Sequence, residues 1–373
     1  MAKTSGYYLL EKSFSKDYAW PTSHGLRRYG IIILIVVNAI WIFYPLIIEV
    51  KDYKTNFAKL LFKWEFIVPG TAILLDNILI LRNPRGLIEM IDLLSDFNRF
   101  GIPERMKFIE ENMKTIVKTI HYIACFVGYV ISYYTMLEND CTNVMNTKIC
   151  FIMEYFIPYK AKQYEITLIM LFQIYGIAVT VNVMFCSLLL YGHSFELLTV
   201  RIEHLKSMID NIHLTKNRKR NLKILRRIAL YHQDIFRLFK YVNSFFLRFL
   251  VSTKTCILVS VTISITQIVL KKNLISCWMF ISNFLALFFI HTVGQRFTTA
   301  ASSVADSVYN LNWFDSDVST RKDCVILLCM SQHPLTSELP LFGQMSHTSV
   351  AKEYKVAYVF YNWIATTLKQ KIV

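Results

Sequence analysis

The residues with the most chemical content lie near the end of the chain. Lys352, Glu353, Tyr354 and Lys355 form a charged turn directly ahead of an apolar run, 356–368, of thirteen residues. A hydrocarbon core of about 30 Å takes about 20 residues to cross, so the run spans only if the charged turn enters with it. Charges at that depth face protein or water rather than lipid. The pattern points to the wall of a pore, with Lys355 in a vestibule or paired to Glu353.

The remaining reactive groups do not assemble into a catalytic motif. The chain has no Gly-x-Ser-x-Gly, no His-Glu-x-x-His and no phosphate-cradling glycine loop, and only eleven glycines in all. An enzyme reading therefore has little behind it, and no cofactor is expected. The histidines fall on separate elements, which leaves no metal site. Asp76, His121 and His291 sit inside apolar runs and are expected to face water or to hydrogen-bond a neighbouring helix. Of the eight cysteines, Cys125, Cys186, Cys256 and Cys277 are in apolar runs and Cys324 and Cys329 read as cytoplasmic. Only Cys141 and Cys150 fall in an outer loop, where an oxidising environment favours a disulfide between them. No Asn-x-Ser/Thr sequon is present.

The elements that must carry these groups are membrane helices. Hydrophobic residues make up 54% of the chain, aromatics 14% and charged residues only 18%, a composition for which lipid is the solvent. Six spans are expected at 31–48, 66–81, 119–137, 166–195, 255–270 and 273–295, and the run at 356–368 is an unusual seventh. Lys63 and Glu65, and Arg248 and Lys254, are expected to extend the second and fifth spans into the interface, where long side chains snorkel.

Segment 1–30 is polar and carries Lys3, Lys12, Lys16, Arg27 and Arg28, which reads as no signal peptide. Basic residues concentrate there, in the connection after span two and in the connection after span four. The positive-inside rule then puts the N-terminus in the cytoplasm and, with seven spans, the C-terminus outside. That orientation is opposite to the one a G-protein-coupled receptor requires. It also accounts for the net charge of +15 through orientation and contact with anionic membrane lipid, with no nucleic-acid partner.

The connection after span four is helical in pattern. Leu198, Ile202, Leu205 and Ile209 share one face, and Leu225, Ile228, Ile235, Leu238, Phe239 and Val242 share another, with Lys216 to Arg220 as the loop between them. Spans four and five are expected to continue as amphipathic helices, covering each other or packing on neighbouring subunits as well. After span six, Asp317 or Ser319 caps a short helix that Pro334 stops, and Gly343, Ser346 and Thr348 turn the chain into the final helix. The seventh element is thus split. The division expected is a cytoplasmic segment 1–30, transmembrane helices one to six over 31–295 with an extension at about 196–245, a cytoplasmic anchor 296–345, and a pore-lining helix 346–373.

Gly294-Gln295, Val304 to Asn310, Trp313-Phe314, Arg321-Lys322, Gln332 to Leu335 and Tyr358 to Tyr361 stand in an order and spacing that resembles the C-terminal signature of insect odorant receptors. Trp20-Pro21, Phe156 to Tyr159 and Tyr231-His232-Gln233 match further upstream, so the resemblance runs over nearly the whole chain. Ala301 stands where the family usually has serine, and the terminal motif of the related gustatory receptors is missing. The resemblance implies an all-α, seven-transmembrane protein with an inside N-terminus and a cation channel opened by small volatile ligands. It also implies a heterotetramer with an obligate co-receptor subunit; at 373 residues the chain resembles the ligand-tuning subunit.

Carried onto this sequence, the resemblance puts the pore and gate at Tyr358, Asn362, Trp363, Thr366 and Thr367. Trp363 offers a bulky plug, and the hydroxyls and amide suit a partly hydrated cation. It implies a subunit anchor containing Tyr309, Trp313, Gln332 and Pro334. The odorant pocket of the family falls in the outer halves of spans two, three, four and six. Those halves contain Phe62, Phe66 and Thr71; Phe126, Tyr129, Ser132 and Tyr133; Met170, Gln173 and Ile174; and Trp278 and Ile281. An aromatic cage with a few hydroxyls suits a small apolar ligand, and Tyr129 and Tyr133 are one turn apart on the face of Phe126. A transporter is the competing membrane class; it would show an internal repeat or paired broken helices, and neither is visible.

Overall fold

The computed structural model of the chain describes residues 29–30, 33, 36–37, 40, 57–138, 142–144, 147–149, 162–271, 274–333 and 335–372. Tyr29, Gly30, Ile33, Val36, Val37 and Ile40 are helical. Eight complete helices follow among the described residues: α1 (Phe57–Arg82), α2 (Pro84–Ser95), α3 (Met106–Glu138), α4 (Gln163–Asp210), α5 (Arg218–Lys271), α6 (Leu274–Tyr309), α7 (Val318–Ser331) and α8 (His347–Ile372). Two small antiparallel ladders, Thr142–Val144 with Thr147–Ile149 and Glu338–Leu339 with Gly343–Gln344, punctuate the helical chain.

The helices are longer than the spans read from hydropathy, because amphipathic turns continue each apolar run. At 1.5 Å per residue, α4 is about 72 Å long, α5 about 81 Å and α6 about 54 Å. Each exceeds a hydrocarbon core of about 30 Å, so more than half of α4 and of α5 packs outside it. There the largest core lies. All ten residues on the two expected amphipathic faces, from Leu198 to Val242, are buried. Phe239 stacks on Phe297 at 4.9 Å, and Phe195 meets Phe297 edge-on at 5.4 Å, locking α4, α5 and α6 together. The two faces thus cover α6 as well as each other.

Local signals set the ends. Asn83 caps α2 by accepting from Gly86 N–H at 3.1 Å, with Pro84 at the first helical position. At the other end of α2, buried Arg201 donates from one nitrogen to the carbonyls of Leu93, Leu94 and Asp96 and lies 4.2 Å over the Phe97 ring. A cation there satisfies terminal carbonyls and complements the helix dipole. Asp317 caps α7 through the N–H groups of Ser319 and Thr320, as expected. Leu341 and Gly343 take positive φ of 74° and 69° in the turn that leads to α8, a conformation that glycine adopts without strain and leucine does not.

Candidate functional site

Buried polar groups of three helices, α1, α6 and α8, converge on α5. On α1, Asp76 accepts from Thr253 Oγ1 at 2.9 Å and Ser252 Oγ at 3.3 Å. Eleven residues earlier on the same face, buried Glu65 accepts from Ser264 of α5 and, at 2.7 Å, from Ser276 of α6. The spacing on α5 is again eleven, so the two contacts repeat down an antiparallel helix pair. On α6, Asn283 donates to Ser260 Oγ at 3.0 Å. A carboxylate removed from water is tolerated only when it is hydrogen-bonded or paired, and these hydroxyls supply the donors.

The most charged of these contacts holds α8. Lys254 Nζ lies 2.7 Å from Glu353 Oε1, and His291 Nε2 of α6 lies 3.1 Å from Glu353 Oε2. Lys254 and His291 are fully buried. The ammonium also sits 4.4 Å over the Phe342 ring and 3.6 Å from Met345 Sδ. Around this triad, Tyr354 stacks on Phe284 at 4.5 Å and donates to the Phe284 carbonyl at 2.9 Å, while His347 stacks on Phe288. Gly294 permits the closest approach: a Cβ on it would collide with Met345 Cβ and come within 3.0 Å of the Met345 carbonyl. The Gly294-Gln295 pair of the sequence signature therefore marks where the α8 lead-in crosses α6.

The structure corrects one expectation and decides between two alternatives for another. The helices do run through Lys254 and Glu65, but the two side chains do not snorkel into the interface; both are wholly buried against other helices. Glu353 pairs with Lys254 and His291, and Lys355 is exposed. Partners 99 residues apart in sequence convert a charge that would otherwise seek water into a core contact. Asp76 and His291 do hydrogen-bond neighbouring helices, one of the two roles expected for them. The sequence signal that was available is the hydroxyl series of α5, Ser252, Thr253, Ser260 and Ser264, matched in spacing to Glu65 and Asp76 of α1.

α8 is two-sided. Val350, Glu353 and Ala357 are buried against the chain, while Val356, Val359 and Trp363 form an exposed apolar stripe on the adjoining face, joined by exposed Phe360 about two turns beyond Glu353. Tyr358 and Asn362 are also exposed. Thr366 Oγ1 and Thr367 Oγ1 donate back to the carbonyls of Asn362 and Trp363 at 2.8 and 2.9 Å, which leaves their lone pairs directed away from the helix backbone. Of the anchor residues, Tyr309 is exposed, Trp313 is half-buried and donates to the Tyr309 carbonyl, and Gln332 ends α7; Pro334 lies outside the described residues. Asn312 bridges both backbone groups of Leu214, and Arg218 pairs with Asp323, tying α7 and its lead-in to the α4–α5 turn.

The expected ligand residues are more dispersed. Phe66, Thr71 and Met170 are half-buried. Phe126, Tyr129 and Tyr133 do share one face of α3, joined by Tyr122, and that face is exposed in the isolated chain, as are Trp278 and Ile281 on α6. The side chains of Phe62, Ser132, Gln173 and Ile174, and the residues Cys141 and Cys150, lie outside the described residues. Three cavities lined by described residues, between α1, α4 and α5 and on the extended parts of α4, α5 and α7, contain none of the expected cage residues.

Long helices joined by buried ion pairs and hydroxyl–carboxylate contacts, with a terminal helix presenting one apolar stripe outward, define a helical membrane protein. The chain belongs to the 7tm odorant receptor family, whose profile matches residues 58–358. It is 24% identical over 173 residues to Odorant receptor 85c of Drosophila melanogaster, covering 45% of this chain and 44% of that one. It is 25% identical over 150 residues to Putative odorant receptor 85d of the same fly, covering 39% and 36%. The matched stretches thus span less than half the length of these curated relatives. The solved insect olfactory receptor OR5 from Machilis hrabei, in complex with eugenol, superposes with a TM-score of 0.72 over 97% of this chain and 98% of its own, at 11% identity. A second structure of the same receptor gives 0.67. The fold is accordingly the seven-helix membrane fold of insect odorant receptors.

Proposed function

We propose that this chain is the odorant-tuning subunit of a ligand-gated, non-selective cation channel that works as a heterotetramer with a co-receptor. The observation that carries the reading is the two-sided α8: one face is pinned to α5 and α6 through Glu353, and the adjoining face presents Val356, Val359 and Trp363 outward, with exposed Phe360 beside them. An apolar stripe of that kind suits a pore wall shared between subunits, where hydrophobic constrictions gate by dewetting. Tyr358, Asn362, Trp363, Thr366 and Thr367 form its outer, gating end. The segment 296–345 serves as the subunit anchor, with Tyr309, Trp313, Gln332 and Pro334 in it, and the expected plasma membrane is that of an olfactory sensory dendrite.

The ligand, a small volatile organic molecule, occupies the outer halves of α1, α3, α4 and α6. Half-buried Phe66, Thr71 and Met170 are the best seated contacts, with Phe62, Phe126, Tyr129, Ser132, Tyr133, Gln173, Ile174, Trp278 and Ile281 around them. Coupling to the pore runs through α5. Glu65, beside ligand residue Phe66 in sequence, accepts from Ser276, two residues before ligand residue Trp278, and from Ser264 of α5, about 15 Å along that helix from Lys254. A ligand that favours one packing of α1 and α6 on α5 shifts the population of the α8 seat. Whole-cell recording during an odorant panel tests the reading. Fast cation current is expected when the chain is expressed with a co-receptor and not when it is expressed alone; silence from a pair verified at the surface, or a slow G-protein-dependent signal, contradicts it.

A further inference from the structure

A cavity of about 420 Å³ opens between the end of α1 and the middles of α4 and α5. Its rim carries Arg82, Asn83 and Arg248, and its walls are Leu190, Phe245, Phe246 and Phe249. Both arginines are exposed, and neither side chain has a salt-bridge or hydrogen-bond partner among the described residues. Ser187 lines the same cavity; it is 2% exposed and its hydroxyl has no hydrogen-bond partner among the described residues. A buried hydroxyl left unsatisfied in a native core is uncommon, and a bound polar group is one of its ordinary explanations. Tyr241, also in the lining, donates to Glu89 at 2.9 Å, so the nearby carboxylate is already engaged.

The setting is where a membrane span gives way to polar chain: Arg82 ends α1 and Asn83, the next residue, caps α2. We propose that this cavity seats the headgroup of an anionic phospholipid. Its phosphate bridges Arg82 and Arg248, a headgroup hydroxyl or ester oxygen meets Ser187, and the glycerol and first acyl carbons lie on Phe245, Phe246 and Phe249. Guanidinium groups bind phosphate oxygens in a planar, bidentate manner, and basic pockets between transmembrane helices are recurrent lipid sites. The aromatic walls favour a lipid over a free soluble phosphate, which would leave them unused. The site is separate from the proposed pore and odorant contacts.

The purified full chain in phosphatidylcholine nanodiscs containing a minor fraction of phosphatidylinositol 4-phosphate provides the test, with retained lipid counted by native mass spectrometry after exchange into lipid-free detergent. Selective retention of the anionic lipid is expected. R82Q/R248Q is expected to retain about thirtyfold less, since each arginine near the surface contributes about a fivefold factor. R237Q, an exposed arginine elsewhere on α5, is expected to retain as much as the unmodified chain, and free inositol phosphate is expected not to displace the lipid. Equal retention by R82Q/R248Q at matched thermal stability, an equal loss in R237Q, or full displacement by free inositol phosphate would each overturn the proposal. Retention is read without odorant or current, so its failure is distinct from failure of the channel reading.

Discussion

Lys254 Nζ lies 2.7 Å from Glu353 Oε1, joining the longest helix of the chain to its last. Both groups are buried, and the carboxylate's second oxygen is held by His291. The net contribution of such a pair against an apolar replacement is small, because desolvation of both charges offsets their attraction. The pair matters most when one partner is missing.

Breaking the pair leaves an uncompensated charge in the core, a destabilisation of about 3–5 kcal/mol. K254M and E353Q are each expected to lower the thermal midpoint of the purified chain and its surface abundance sharply. The double variant K254M/E353Q is expected to recover more than half of the loss. Fluorescence-detected size exclusion after heating measures both, and single variants as stable as the unmodified chain would show that the pair is not formed.

Gly294 is expected to tolerate no side chain. A Cβ there collides with Met345 Cβ and crowds its carbonyl at 3.0 Å, so G294A is expected to cost about 1–3 kcal/mol through overpacking. Because the obstacle is a Cβ and backbone, M345A is expected not to rescue G294A. Thermal midpoints of the single and double variants check this; a full rescue would mean that only the long methionine side chain is in the way.

Outside the membrane spans, His204 and His232 are held below the usual histidine range, both chiefly by burial, and His204 also by the Arg227 guanidinium beside it. Folding therefore favours their neutral forms. The stability they contribute is present above the ordinary histidine pKa of about 6.5 and is lost as pH falls through the depressed folded values. The thermal midpoint is expected to drop between about pH 7.5 and about pH 5, and to drop less in H204Q/H232Q. An identical drop in that variant would move the titration elsewhere.

The helices and the extended α4–α5 pair were legible because their signals are local. Leu198, Ile202, Leu205 and Ile209 repeat at helical spacing, and Asp317 stands where an N-cap must. The destinations of Lys254, Glu65 and Arg201 were not. A basic residue beside a span reads equally as an orientation signal, a snorkelling side chain or half of a buried pair, and only the partner decides. Arg201 lies in the basic connection after span four, yet it is buried at the C-terminal end of α2, where it caps the last carbonyls. The Phe126, Tyr129 and Tyr133 stripe was legible as a face of α3, but periodicity does not say what a face meets; in the isolated chain that one is exposed.

The sharpest test of a pore walled by α8 is the accessibility of that helix to a charged thiol reagent during gating. Cysteines at Val359 and Trp363, on the exposed stripe, and at Ala357, on the buried side, are introduced singly and co-expressed with a co-receptor, and a positively charged methanethiosulfonate is applied with and without odorant. Odorant-evoked current is expected to be blocked in V359C and W363C, faster when odorant is present, and to be unaffected in A357C. Block confined to A357C, or current in V359C and W363C that ignores the reagent, would contradict a pore lined by this face of α8.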